Sequence, residues 1–216
     1  MKRKLLDILH RWAYISLLLL IYIFVQLLFK LEVKGKENIP DNTDDLLIVS
    51  THNSYWDPPL IGISFGPRYQ IRFIARKGLL TNPLFSLPVK AFSTTIDRDN
   101  FGKKDLIKIL RTFRQDGLIC IFPEGTTSEN APPKSGTIRL AEKTNRKFLP
   151  LRIDIRRSPL EFPFFFTPAK LIIGKPIHLS ELKESSLNST GRDSNGQTDL
   201  DYQELSTRLM EKIYRL

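Results

Sequence analysis

One cysteine, Cys120, in 216 residues leaves no partner for an intramolecular disulfide, so a packed core must hold the fold together. No group of His and Cys residues has metal-ligand spacing, which excludes a zinc-built module. No segment repeats, and no Gly-x-Ser-x-Gly elbow offers a serine nucleophile. Acidic residues are in deficit: 33 Lys and Arg stand against 23 Asp and Glu, a net charge of +10. That excess would suit nucleic acid, yet no nucleic-acid-binding motif accompanies it. An anionic membrane surface or anionic substrates explain it equally well.

Long apolar runs are scarce as well. The one that stands out, Ala13 to Phe29, is 17 residues broken only by Ser16 and Gln26, and Lys2, Arg3, Lys4 and Arg11 precede it. As a helix it would be about 26 Å long, borderline for a bilayer core of about 30 Å. Lys30, Lys34 and Lys36 follow it, so the charge asymmetry that sets orientation is small. No small-x-small cleavage site follows either. The expectation is an uncleaved helix over residues 1–31 that spans or lies in the membrane.

What the chain does contain is a set of short strand patterns that empty into polar residues. Leu46-Leu47-Ile48-Val49 reads as a buried strand and runs into Ser50-Thr51-His52-Asn53-Ser54-Tyr55-Trp56-Asp57-Pro58. Leu118-Ile119-Cys120-Ile121-Phe122 runs into Pro123-Glu124-Gly125-Thr126, and Ser93-Thr94-Thr95-Ile96 into Asp97-Arg98-Asp99. Open α/β sheets gather ligands at the carboxyl ends of their strands. One shared crevice there would bring His52, Asp57, Arg98 and Glu124 together. In His-x4-Asp, Asp57 can fold back onto one imidazole nitrogen, fix the tautomer, and leave the other nitrogen to take a proton from a hydroxyl. Taken singly, each element also has a plain structural reading: a hydrogen-bonding His, a surface Arg paired with Asp97 or Asp99, a tight turn with a solvated Glu.

Taken together, these blocks resemble the glycerolipid acyltransferases, typified by 1-acylglycerol-3-phosphate (lysophosphatidate) acyltransferase. The matching blocks are His52-x4-Asp57, Ile96-Asp97-Arg98, Phe122-Pro123-Glu124-Gly125-Thr126 and Phe148-Leu149-Pro150-Leu151-Arg152-Ile153. Val33 to Pro40 resembles the family's entry into the domain and Ile173-Gly174-Lys175-Pro176-Ile177 its exit strand, so the likeness covers about residues 32–180.

The resemblance implies acyl transfer from a thioester, acyl-CoA or acyl carrier protein, to the free hydroxyl of a lysolipid. His52 would be the general base and Asp57 its orienter, with direct attack and no acyl-enzyme. Glu124, Gly125 and Thr126 would shape the acceptor pocket. Arg98 and Lys134, with Lys77 a weaker third, would bind the acceptor's phosphate. No cofactor or metal is implied beyond the co-substrate. The implied location is a membrane, on the cytoplasmic face of the cell membrane. Thr127 and Ser128 stand where the family commonly has an arginine after Glu-Gly-Thr. That departure keeps a lyso-aminolipid or another lysophospholipid open as acceptor. A relative that binds lysolipids without catalysis, or a basic nucleic-acid-binding domain, are the readings from other classes.

The expected architecture is one α/β domain: a mainly parallel sheet crossed by helices over 32–180, with the N-terminal membrane-associated helix before it. A polar loop and an amphipathic helix occupy 181–216. Leu106, Ile109, Leu110 and Phe113 recur at helical spacing beside Lys103, Lys104, Lys108, Arg111 and Arg114, and Gly117 marks the stop. Leu205, Leu209, Ile213 and Leu216 mark the last helix, after a loop composition over 185–198 that includes an Asn188-Ser189-Thr190 sequon. Phe162 to Phe166 is either core or an interfacial wedge.

Overall fold

Runs that are apolar at every position can be satisfied only between two layers, and three such runs, Leu46–Val49, Leu118–Ile121 and Phe148–Leu151, lie side by side in the middle of one sheet. The structure is a computed structural model that describes residues 12, 15–16, 19–97, 100–113, 118–128, 131–155, 166–187 and 202–216. Among the described residues the sheet has seven strands: β1 (Phe29–Lys34), β2 (Leu46–Ser50), β3 (Ile71–Arg76), β4 (Ser93–Ile96), β5 (Leu118–Ile121), β6 (Lys147–Ile155) and β7 (Thr167–Ile173). Their order is β1-β7-β6-β2-β5-β3-β4. Every neighbouring pair is parallel except β6 and β7. The expected α/β domain with a mainly parallel sheet is what forms.

The helices are α1 (residues 19–28), α2 (Asp57–Phe65), α3 (Pro83–Phe92), α4 (Lys103–Phe113), α5 (Gly136–Thr144), α6 (Leu179–Leu187) and α7 (Tyr202–Tyr214). The two-residue period of the strands divides the core between two faces. Leu46 and Ile48 of β2 pack with Val25 of α1 and Leu60, Ile61 and Phe65 of α2. Leu47 and Val49 face the opposite way, with Ile109 and Phe113 of α4, Ile138 of α5, Leu182 of α6 and Leu205, Leu209 and Ile213 of α7. Each such side chain contributes about 1.5–3 kcal/mol on burial. Of the apolar stripes read for α4 and α7, Ile109, Phe113, Leu205, Leu209 and Ile213 are core, Leu106 and Leu110 are partly buried, Leu216 lies past the end of α7, and Lys103, Lys104, Lys108 and Arg111 are exposed.

Three boundaries differ from the sequence reading. The apolar run does not continue as helix through Phe29, because Phe29, Leu31 and Val33 alternate with Lys30, Glu32 and Lys34 and enter the sheet beside β7. The sheet thus reaches three residues into the segment drawn as anchor. Within α1, Val25 is buried, while Leu19, Leu20, Ile23, Phe24 and Leu27 are each at least half exposed. Among the described residues no helix is long and apolar enough to cross a membrane. Second, the exit segment is split: β7 ends at Ile173, and Ile177 forms a separate antiparallel bridge with Phe148. Gly174 N–H turns to Pro150 O (2.8 Å), and Pro176 has no N–H to offer a ladder. Third, residues 185–187 belong to α6 rather than to the loop. The remainder of that loop, the Asn188 sequon, Arg114, Gly117 and Phe162 to Phe165 lie outside the described residues; Phe166 is exposed.

Candidate active site

β2 leaves the sheet at Ser50, and the ladder is continued by a side chain: Thr51 Oγ1 accepts Ile153 N–H at 3.1 Å. The chain then turns back into α2, whose opening carries Pro58 and Pro59 where a helix has no use for an N–H. Asp57 sits at this opening and is 1% exposed. A single oxygen, Oδ2, accepts His52 Nδ1–H at 3.0 Å and the N–H groups of Asn53 and Ser54 at 2.9 Å each. One carboxylate therefore shapes the loop and aims the ring. With the proton on Nδ1, the lone pair is on Nε2, which has no protein partner among the described residues. The imidazole stacks on Phe122 (centroids 4.1 Å apart, 20° between planes), and Phe122 stacks in turn on Phe73.

β5 delivers the second half. After Phe122 the chain must reverse sharply, and Gly125 does this at φ 68°, donating its N–H to Phe122 O at 3.0 Å. The turn points Glu124 inward, 5% exposed. Its Oε2 accepts His52 N–H at 3.0 Å, and its Oε1 accepts the hydroxyl of Tyr214. Thr126 is half-buried and pairs through Oγ1 with the Ser128 hydroxyl at 3.0 Å. Lys134 N–H donates to Pro123 O at 2.9 Å, so this lysine is stitched to the same turn, two residues before the start of α5.

The parallel order β2-β5-β3-β4 sets His52, Glu124, Lys77 and the Ile96 end of β4 along one edge. Lys77 is exposed in a short 3-10 turn. Arg98 lies outside the described residues. Beside it Asp97 serves α4's entry loop: its N–H donates to Asp105 and its Oδ1 accepts Asn100 N–H at 3.0 Å. Cys120 is fully buried in β5, and burial, reinforced by the charge of Asp57, pushes its thiol well above the usual range. It is no thiolate nucleophile.

A cavity of about 310 Å³ opens beneath the turn. Ile74, Ile96, Ile109, Ile121 and Leu140 make it apolar, and Phe122, Pro123, Gly125 and Lys134 join it to the site. Two participants had no local signal in the sequence. Tyr214 is 90 residues from Glu124, and the stacking role of Phe122 depends on where β2 and β5 lie relative to each other.

Known proteins give the arrangement its context. The family model described as Acyltransferase matches residues 30–154. The 1-acyl-sn-glycerol-3-phosphate acyltransferase of Bacillus subtilis is 31% identical over 152 residues, 69% of this chain and 75% of that protein. Its namesake in Streptococcus pneumoniae is 24% identical over 154 residues, and a chloroplastic one of Brassica napus 27% over 180. The chain spans 56% and 49% of those two longer proteins. The crystal structure of the 1-acyl-sn-glycerophosphate acyltransferase of Thermotoga maritima superposes with a TM-score of 0.54 at 23% identity. That match covers 87% of this chain and 73% of the other, and it is a likeness of fold. With the match running from β1 through β6 and taking in both halves of the site, the chain belongs to the acyltransferase family.

Proposed function

We propose that the protein transfers a fatty acyl group from an acyl thioester to the free hydroxyl of a lysolipid, 1-acylglycerol-3-phosphate being converted to phosphatidate. The observation that carries this reading is the His52–Asp57 pair at 3.0 Å with Nε2 uncommitted at the strand edge. A glycerol hydroxyl is a poor nucleophile near neutral pH. His52 Nε2 takes its proton as the oxygen attacks the thioester carbonyl. The imidazolium is stabilised by Asp57, and the tetrahedral intermediate collapses with the C–S bond breaking. The proton passes to the departing thiolate, so ester and thiol are the products and His52 returns neutral. The shared names of the relatives support the acceptor.

Lys134 binds the acceptor's anionic group, helped by the N-terminal N–H groups of α5. Arg98 has the same role. The apolar cavity takes an acyl tail. Coenzyme A and acyl carrier protein are both admissible donors. The exposed apolar side of α1, with Leu20, Ile23, Phe24 and Leu27, docks on the membrane that holds the lipid substrate.

Purified protein given acyl-CoA or acyl carrier protein with a panel of lysolipids, and products read by mass, tests the reaction. Phosphatidate from 1-acylglycerol-3-phosphate is the expected product, and no acylated lysolipid with any acceptor would sink the proposal. Thr127, in the position of a common family arginine, favours a second reading in which another lysolipid is preferred; the same panel decides between them. For the membrane, Leu20, Ile23, Phe24 and Leu27 changed together to Ser should release the protein from vesicles. Deletion through residue 30 is a poorer test, since it removes part of β1 and the core residue Val25.

A further inference from the structure

The last helix lies beyond the residues 30–154 that match the family, yet it reaches into the site at three points. Gln203 Nε2 donates to Pro133 O at 2.6 Å, Ser206 Oγ donates to Lys134 O at 3.1 Å, and the Tyr214 hydroxyl donates to Glu124 Oε1. The end of the helix is held in turn, because Arg152 donates to Tyr214 O and Leu216 and Pro150 both close on Gly174. A side chain added at Gly174 would come within 2.8 Å of Leu216, so the glycine admits this contact.

Glu124 has two carboxylate oxygens and each has one assignment. Oε2 grips the backbone N–H of His52, and Oε1 receives Tyr214. A carboxylate held at one oxygen can rotate about its last bond; held at both, it cannot. We propose that Tyr214 is a positioning residue for His52, acting through Glu124. The chain of contacts is Tyr214 hydroxyl, Glu124 carboxylate, His52 backbone, and it meets the Asp57 contact from the opposite side of the residue. The catalytic histidine is thus fixed at its ring by α2 and at its backbone by α7.

A purely structural role is the rival explanation, and the packing argues against it. α7 docks through Leu205, Leu209, Met210 and Ile213, all buried, whereas the Tyr214 residue is 47% exposed. Removing one hydroxyl leaves that docking face intact. The hydroxyl is a dependable donor across the working range, because burial and the bond to Glu124 push its pKa up to about 12.

The proposal rests on His52 as general base, so the test carries a readout independent of turnover. In full-length Tyr214→Phe, kcat should fall about tenfold, the weight of one hydrogen bond to a charged group, with both KM values within about twofold. Hydrogen exchange at the His52 amide should quicken by a similar factor while the melting temperature falls by no more than about a degree or two. In a Glu124→Ala background, which has no side-chain acceptor left for His52 or Tyr214, the same substitution should add nothing further to the loss of kcat. Unchanged kcat and exchange in Tyr214→Phe overturn the proposal. So does an equal loss in both backgrounds, which would mean Tyr214 acts by another route. If instead His52→Ala keeps its turnover, the base reading fails, and the exchange measurement still decides whether Tyr214 holds the histidine.

Discussion

The parallel strands carry a polar cluster at each end, and the two clusters are finished differently. At the amino end, Arg146 donates to Leu46 O at 2.9 Å and Phe113 O at 2.7 Å and lies over the Phe113 ring. Lys147 beside it pairs with Asp45 at 2.9 Å. Burial draws the Arg146 pKa below its ordinary value, opposed by Asp44 and Asp45, so this charge is desolvated and compensated. At the carboxyl end Asp57, Glu124 and Tyr214 are likewise bonded, but His52 Nε2 is left with nothing to hold among the described residues. Both clusters tie strands to helices. The carboxyl-end cluster leaves His52 Nε2 uncommitted among the described residues, which is what the proposed proton transfer requires.

Breaking the open cluster should therefore cost activity and breaking the closed one should cost stability. His52→Ala is expected to lower turnover by about 10²–10⁴, the usual weight of general-base assistance, with the melting temperature unchanged. Steady-state rates and a thermal melt on one preparation check both halves, and more than a tenth of wild-type turnover would remove His52 from the role. Arg146→Met should do the reverse. Two carbonyls lose a charged donor, which destabilises by roughly 3 kcal/mol in denaturant unfolding, while turnover per folded molecule stays at the wild-type level.

A third change sharpens the comparison inside the active end. Lys134 is exposed, and among the described residues its backbone rather than its ammonium is committed, to Pro123 and Ser206. Lys134→Gln should raise the acceptor KM by roughly 10–150-fold, equivalent to about 1.5–3 kcal/mol, with the donor KM unmoved. Kinetics against a phosphorylated lysolipid and a head-group-free analogue separate the cases. Equal losses on both would make the lysine structural.

Legibility in the sequence followed the same divide between local and distant causes. β2, β5, α4 and α7 could be read because each rests on a pattern of apolar residues within its own span. His52 and Asp57 were legible for the same reason: five positions separate them, and one carboxylate organises the loop between. β1 was concealed by the apolar run before it, although Phe29, Leu31 and Val33 alternate plainly with charged residues. The Arg146 cluster and the Tyr214 contact could not be read at all. Arg146 bridges 100 residues to Leu46 and Tyr214 bridges 90 to Glu124, distances over which only the strand order decides who meets whom.

The smallest expected effect tests the reach of α7 without reference to catalysis. Tyr214 is raised from an ordinary 10.0 to about 12, first by burial and then by its bond to the Glu124 carboxylate. The folded state thus favours the protonated phenol more than the unfolded chain does. Stability from this group is fully present below about pH 10 and is lost as pH climbs towards 12. Tyr214→Phe has no proton to lose, so its melting temperature should fall less steeply over that window. The other tyrosines titrate in both proteins and cancel in the difference. Because the residue is 47% exposed, solvent screens much of the effect, and a divergence of about a degree or two is what melts should show. Curves that run parallel from neutral pH to 11.5 would mean the phenol is not bonded to Glu124, and the link from α7 to the histidine would go with it.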